Sequence, residues 1–287
     1  MVPKVSIVIP ALNMLELTAQ TIAGIAKTCD IPFEVILVNN GSTDDTKEWS
    51  DNIATGILSK NPNFVRFIAI HNPTNRGISG GLNTGILHAR GEFLCMCAND
   101  ILVPPKYFSW AVENLTRNPQ IGTISPFYTE DERFRGVDAF YGNYDKLVKI
   151  DEWTDNWHLS VIQVFTREMW NKVGEWDERL MNHLMDNDHG QRIYLAGYKP
   201  TAWKGMVAFH LYGSFGRAQL VNQSKEAKHD SRYYLKKWGM FPDKPIDLAK
   251  DCIKERASKG QYLSKTQLNR KNKIRIIKLK QAGERLN

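Results

Sequence analysis

Apolar positions along this chain come in short blocks separated by polar, turn-forming stretches. Val5–Ile9 is a largely apolar run that stops at Pro10, the pattern of a strand buried on both faces. In the helix predicted over Leu15–Lys27, Leu15, Ile22 and Ile25 share one face, and Pro32 lies beyond its end. A second buried strand is predicted over Glu34–Val38, ended by Asn39-Asn40-Gly41-Ser42. Ser42 or Thr43 is then a candidate cap for a helix running through Asp44, Asp45 and Trp49. A third strand follows over Val65–Ile70, then a glycine-entered helix over Gly77–Arg90 and a fourth strand over Glu92–Cys97. Pro104 and Pro105 introduce a helix over Tyr107–Leu115. Cys95 and Cys97, two apart on a strand, are expected on one buried face.

This alternation predicts an α/β fold with a doubly wound parallel sheet over the first 120 residues. Such sheets bind ligands beyond the carboxyl ends of their strands. Asn13, Asn39, Asn40, Asn75, Arg76, Asn99 and Asp100 all fall there, although Asn and Gly are also ordinary turn residues. The pattern is less regular afterwards. Strands are predicted over Val161–Phe165 and Val207–Phe209, and a helix over Asp186–Ala196 with Gly197 as its stop. Phe127, Tyr128, Phe140, Tyr141, Tyr144, Trp153 and Trp157 read either as core or as a platform on which a sugar face could stack. No repeat or low-complexity linker divides the chain, so the first part is expected to continue into the second as one domain.

Composition narrows the class. With 42% hydrophobic and 24% charged residues in 287, the chain can bury a substantial core, which excludes wholesale disorder. No run approaches the roughly 20 apolar residues of a membrane span, and the apolar start is too short for a signal peptide. The four cysteines, Cys29, Cys95, Cys97 and Cys252, form no C-x-x-C pair. That excludes a zinc ribbon and a disulfide framework and fits a reducing, cytoplasmic setting.

The net charge of +7 is local. Of 38 basic and 31 acidic residues, eight and one fall in residues 264–287, leaving 30 of each elsewhere. A neutral body argues against a nucleic-acid-binding face and isolates the tail. Within the tail, KNKIRIIKLK interleaves apolar and basic residues. It reads as a docking or solvated end, as a segment lying on an anionic membrane surface, or, least favoured, as a nucleic-acid contact.

Five blocks, VSIVIPALN, VNNGSTDDT, NRGISGGLNTGILHARGEFLCMCANDILVPP, VGEWDERLMNHLMDNDHGQRIYLAGYK and VAFHLYGS, resemble in order and spacing those of glycosyltransferase family 2. The likeness covers residues 3–240, to the closing KKWG. It implies the GT-A fold, a Rossmann-like, mostly parallel sheet flanked by helices, here with a basic C-terminal extension. It divides the chain into a GT-A domain over 1–263 and the tail over 264–287. Within the domain, 1–120 would be the nucleotide-binding half and 121–240 the acceptor-binding half. The implied reaction moves a sugar, with inversion, from a nucleotide-diphosphate sugar (UDP or dTDP favoured) to an acceptor hydroxyl on a glycan or lipid-linked molecule.

The resemblance also assigns roles. Its D-x-D signature falls on Ala98-Asn99-Asp100, where Asp100 matches the metal-binding carboxylate and Ala98 supplies no ligand. His210 matches a further metal ligand in several members, the alternative being a packed core histidine. Mn²⁺ or Mg²⁺ is the implied cofactor. In Met185-Asp186-Asn187-Asp188, Asp186 matches the catalytic base. Asp188 is its partner, a fallback base or a helix cap, and Met185 departs from the usual Glu. Pro10, Ala11 and Asn13 match the loop along base and ribose, and Asn39 and Asn40 stand where many members have Asp. Arg76, in Asn75-Arg76-Gly77, would stack on the base or reach the diphosphate. Gly80, Gly81 and Asn83 open a helix whose N–H groups suit a phosphate, or the glycines only permit close packing. The departures leave one further reading, a relative that binds a nucleotide-sugar or glycan without turnover, and the basic tail leaves another, a nucleic-acid-associated glycosyltransferase.

Overall fold

The computed structural model describes residues 1–147, the backbone of 153–155, and residues 161–211 and 225–238. The tail over 264–287, Cys252, Trp157 and the residues following Leu211 in VAFHLYGS lie outside the described residues.

Three parallel strands form one flank of the sheet: β1 (Val5–Ala11), β2 (Phe33–Asn39) and β3 (Phe64–His71). β4 (Phe93–Cys97) and a short β5 (Ile101–Leu102) follow, then β6 (Ile121–Thr129), β7 (Trp153–Asp155), β8 (Ile162–Thr166) and β9 (Lys199–His210). The spatial order is β3-β2-β1-β4-β8-β6-β9-β5, with β7 pairing β9. The pairs β3–β2, β2–β1, β1–β4 and β6–β9 are parallel; β8, β5 and β7 run antiparallel to their neighbours. The α/β sheet expected for the first half is therefore present, and its order reverses between β1 and β4.

The main helices are α1 (Leu15–Thr28), α2 (Thr46–Asn52), α3 (Ala54–Leu58), α4 (Gly77–Ile86), α5 (Tyr107–Arg117), α6 (Val137–Gly142), α7 (Arg167–Val173), α8 (Met185–Leu195) and α9 (Lys225–Trp238). They cover both faces of the sheet. On one face β1, β2 and β4 present Ile7, Val35 and Cys95 to Ile22 and Ile25 of α1 and Phe108 of α5. On the other, Val8, Ile36 and Met96 meet Leu82 of α4, Ile193 of α8 and Tyr234 and Trp238 of α9. Alternate residues of the same strands serve opposite cores, as a sheet buried on both sides requires. Cys95 and Cys97 share the first core, as expected, and burial pushes their thiols well above the ordinary range.

Three local expectations change. Pro10 lies inside β1, which runs on to Ala11. Neither Ser42 nor Thr43 caps α2: Asp44 accepts the Thr46 amide at 3.1 Å, and the Ser42 hydroxyl accepts the Asn13 amide at 2.8 Å. The last strand is also much longer than Val207–Phe209, starting at Lys199. Pro200, Lys204 and Gly205 break its apolar run, and the pairing with β6 skips register between Trp203 and Val207.

Candidate active site

The reversal between β1 and β4 opens a crevice at their carboxyl ends, where doubly wound sheets hold ligands. Two loops flank it. The first, after β1, contains Asn13 and Met14, both left-handed at φ 57° and 60°. Asn13 ties this loop to the one after β2, since its Oδ1 accepts the Thr43 amide at 2.8 Å. Asn39 closes β2 with its Oδ1 on the Ser42 amide at 2.9 Å. The second flank is Ala98–Asp100, where Asn99 donates its side-chain amide to Thr18 Oγ1 at 3.0 Å.

Asp100 is fully buried at the end of this flank. The next residue, Ile101, pairs with His210 across the β5–β9 ladder. That register brings the two sequence-predicted metal ligands together: His210 Nε2 lies 3.2 Å from Asp100 Oδ2. The other ring nitrogen, Nδ1, lies 3.3 Å from Glu130 Oε1. A carboxylate behind a histidine selects the tautomer whose far nitrogen is a lone pair, the usual support of a metal-ligating imidazole. Two cis ligands of an octahedral ion with bonds of about 2.1 Å stand about 3 Å apart, so the observed separation suits a shared cation. Among the described residues no group of three or more His, Cys, Asp or Glu forms a complete cage, so a cation here would take its remaining ligands from substrate and water.

Arg76, Asn75, Gly77 and Asn83 are engaged within the protein. Arg76 is buried, and its Nη2 lies 3.0 Å from both carboxylate oxygens of Glu178, while Nη1 donates to Thr84 Oγ1 at 2.6 Å. Asn83 donates to Glu178 and to the Trp176 carbonyl and accepts the Trp176 amide. The first-turn amides of α4 are taken as well: Ile78 donates to Met181 O at 2.6 Å, and Gly77 to Asn75 Oδ1 at 2.8 Å. This leaves the N-terminus of α4 filled by the 176–182 segment. Gly77 has φ +70°, and a Cβ there would meet Met181 O at 2.5 Å. Gly80 and Gly81 are also packing glycines: Cβ atoms there would meet Arg76 Cβ at 2.7 Å and Pro10 Cβ at 2.8 Å. Asn40 is saturated, accepting from Asn72 and Arg76 and donating to Asn75 Oδ1 and Gly77 O. Pro10, Ala11, Asn13, Asn39, Asn99 and Asp100 lie at or just beyond the carboxyl ends of β1, β2 and β4, with Asn39 also pairing its side-chain amide with His71 Nδ1 at 3.3 Å.

The two acids of α8 separate by environment. Asp186, in the first turn, is half-buried, and its Oδ1 accepts the Asn187 amide at 2.9 Å. Asp188 is fully buried: Arg192 Nε lies 2.9 Å from one oxygen, Lys237 Nζ and Trp238 Nε1 lie 2.5 and 2.8 Å from the other. Held this way, Asp188 ties α8 to α9. Asp177 joins the same cluster through Lys237, Arg179 and the Tyr233 hydroxyl. Burial alone would raise its pKa, but Lys237 and Arg179 outweigh burial and hold the carboxyl well below the usual range.

Residues 6–171 match the family model described as Glycosyl transferase family 2, leaving α8, Asp186 and His210 beyond the matched range. Over 98 residues the chain is 32% identical to a "PGL/p-HBAD biosynthesis glycosyltransferase" of Mycobacterium bovis, spanning 34% of this chain and 36% of that protein. It is 24% identical over 177 residues to a poly-beta-1,6-N-acetyl-D-glucosamine synthase of Staphylococcus aureus, spanning 58% of this chain and 40% of that one. The fold is shared with a mannosyltransferase of Pyrobaculum calidifontis solved with GDP-Man and Mn²⁺ (TM-score 0.62, 18% identity, 90% of this chain and 70% of that one). It is shared also with S. aureus TarS solved with UDP (TM-score 0.57, 15% identity, 85% and 75%). These are GT-A glycosyltransferases, the fold class expected from the sequence. With the family model matched from β1 into α7, more than half of its length, the chain belongs to glycosyltransferase family 2.

Proposed function

We propose that this chain is a metal-assisted inverting glycosyltransferase that moves a sugar from a nucleotide-diphosphate sugar to an acceptor hydroxyl. The observation that carries this reading is the meeting of Asp100 and His210 beside the β1–β4 crevice. The nucleotide would lie along Pro10, Ala11, Asn13 and Asn39, with its diphosphate toward Asp100. Two structural neighbours solved with GDP-Man and with UDP support a nucleotide donor, and Mn²⁺ in the first supports a cation.

Asp186 is the base. Its carboxylate takes the proton from the acceptor hydroxyl as that oxygen attacks the anomeric carbon. The bond from that carbon to the phosphate oxygen breaks on the opposite face, which inverts the centre and releases the nucleoside diphosphate. Asp100 and His210 would hold a divalent cation, which would supply charge neutralisation for that leaving diphosphate. Asp188 acts through α8, fixing the helix that carries Asp186. No described helix is long and apolar enough to cross a membrane. The reading extends to a peripheral, cytoplasmic protein acting on glycan or lipid-linked acceptors, with nucleic acid outside its substrates.

The test is thermal shift of the full chain against UDP, dTDP, GDP and CDP, each with and without Mn²⁺, followed by turnover of the matching sugar nucleotide. Ligand that binds only the folded state raises Tm by mass action, so one nucleotide should stand out and Mn²⁺ should enlarge its shift. Asp186→Asn should keep that shift and lose transfer by at least about a hundredfold, the usual contribution of a positioned base. No shift with any nucleotide would sink the donor reading. A shift with equal inactivity of wild type and variant would favour a binding relative without turnover.

A further inference from the structure

A line of hydrogen bonds runs from the end of β3 to the loop that flanks the crevice. In the β2–β3 ladder Asn39 pairs with His71, so the last residues of both strands stand side by side. Asn39 Oδ1 accepts the Ser42 amide at 2.9 Å. A backbone N–H can only donate, so the oxygen must face Ser42, which turns the Asn39 NH₂ group toward His71 Nδ1, 3.3 Å away. That ring nitrogen must offer a lone pair, and the proton sits on Nε2, which lies 2.9 Å from Asp51 Oδ1. Lys47, 2.9 Å from the other Asp51 oxygen, and then His71 itself hold the Asp51 carboxyl below the usual aspartate range.

The line continues past Asn39. The Ser42 hydroxyl accepts the Asn13 amide at 2.8 Å, and Asn13 Oδ1 accepts the Thr43 amide at 2.8 Å. Asp44 Oδ2 accepts the Leu15 amide at 3.2 Å. These bonds hold Asn13 and Met14 left-handed, a conformation that non-glycine residues keep only when their surroundings enforce it. Leu12 and Met14 are both exposed, so apolar burial does little of that enforcing.

An imidazolium at position 71 would break the line at its first link. Nδ1 would then carry a hydrogen facing the Asn39 NH₂ hydrogens. Turning the Asn39 amide over relieves the clash and takes its oxygen away from the Ser42 amide. The His71 side chain is 26% exposed, so solvent protons reach it. Among the described residues, α2 brings the charged groups Asp51 and, behind it, Lys47 to this ring, and β2 brings the neutral Asn39.

We propose that His71 is a positioning residue for the nucleotide site: its neutral ring, oriented by Asp51, fixes Asn39 and, through Ser42, the Asn13 loop. The inference rests on the donor reading above and adds to it the residue that keeps the two loops in their binding arrangement. Only molecules with the line intact bind at full strength. Protonating His71, or removing its acceptor, therefore raises the apparent Kd in proportion to the competent fraction lost.

Three forms of the full chain test this: wild type, His71→Asn and His71→Phe. Asn Oδ1 stands where His Nδ1 does and accepts the same bond without titrating, whereas Phe keeps a ring and has no acceptor. Affinity for the nucleotide selected by the thermal screen is read by calorimetry with Mn²⁺ at pH 8 and pH 5.5, on either side of the ordinary histidine value. Exchange of the Ser42 amide is followed by nuclear magnetic resonance on the free proteins. At pH 8, His71→Asn should bind within about twofold of wild type, and His71→Phe about five- to tenfold more weakly, the net weight of one hydrogen bond. Between pH 8 and pH 5.5, wild type should lose about five- to tenfold more affinity than His71→Asn, a comparison in which titration of the metal pair cancels. Ser42 should exchange faster in His71→Phe than in His71→Asn at both pH values, with wild type matching His71→Asn only at pH 8. Full-strength binding by His71→Phe, or the same pH dependence in wild type and His71→Asn, would overturn the proposal. So would equal Ser42 exchange in all three. Failure of wild type to bind any nucleotide at pH 8 would fault the donor reading, while Ser42 exchange would still decide whether His71 holds the loop.

Discussion

Glu130 connects to the site through one nitrogen of one histidine. His210 is buried, with Asp100 at 3.2 Å on Nε2 and Glu130 at 3.3 Å on Nδ1. Removing the rear carboxylate frees the ring to adopt the other tautomer, in which Nε2 carries a proton and cannot accept a cation. Supporting groups of this kind change metal affinity by about 10- to 100-fold. Glu130→Ala should therefore weaken Mn²⁺ binding by at least about tenfold in the presence of the nucleotide that the thermal screen selects, read as free Mn²⁺ by electron paramagnetic resonance. Unchanged affinity in a normally folded variant would leave Glu130 without that role. Asp100 and His210 could be singled out in the sequence because each sits in a recognisable block. Glu130 was not, because it lies in the charged run TEDERFR. Only the β6–β9 register, pairing Thr129 with Phe209, carries it to the histidine.

At the scale of elements, α9 holds α8, the helix that carries Asp186, in place. Asp230, fully buried, accepts the backbone amides of Asn182 and His183 at 3.0 Å each, just before α8 begins. Lys237 bridges Asp177 and Asp188 from the same helix. Nothing in the apolar pattern of KEAKHDSRYYLKKW announces this contact, because the buried face consists of Ala227, Asp230, Tyr234, Lys237 and Trp238. Two charged residues face inward there, so hydrophobic periodicity could not find the packed side. The same limit applied to the glycine-rich entry of α4, which read as a phosphate cradle. Its Ile78 and Ser79 amides and its arginine are spent on the 176–182 segment, about 100 residues away, which no local pattern reveals. By contrast β1–β4 and α1 were readable because local apolar runs alone determine them. Breaking a buried ion pair by removing one partner costs about 3–5 kcal/mol. Lys237→Met should fall at the lower end, about 3 kcal/mol in urea unfolding, because Arg179 and Arg192 still face the two carboxylates. A loss below about 1 kcal/mol would mean that α9 is held chiefly by Tyr234 and Trp238.

Over the whole molecule, two buried groups give stability a pH dependence of one sign. His189 lies among Trp176, Trp170 and Phe165, with ring centroids at 4.5, 5.8 and 6.1 Å. Burial, reinforced by Arg192, pushes its pKa well below the ordinary histidine value. The unfolded chain then binds a proton near pH 6.5 that the folded chain refuses, so this group's contribution is complete above pH 6.5 and is lost as pH falls. Asp177 acts in the same direction lower down. Its carboxyl, depressed in the folded state by Lys237 and Arg179 against the opposing effect of burial, stays charged after the unfolded aspartate has begun to protonate. Its contribution is complete above the ordinary aspartate value near pH 4 and disappears below it. Urea unfolding from pH 8 to about pH 2.5 should thus be flat with respect to these groups down to about pH 6.5. It should then fall by up to about 1.4 kcal/mol per pH unit, the slope of one proton, and steepen below about pH 4. His189→Phe keeps an aromatic ring among the tryptophans and removes the proton. Whatever it does to absolute stability, the slope between pH 6.5 and 5 should flatten by about one proton's worth. A slope that persists in the variant would mean that His189 is not its source.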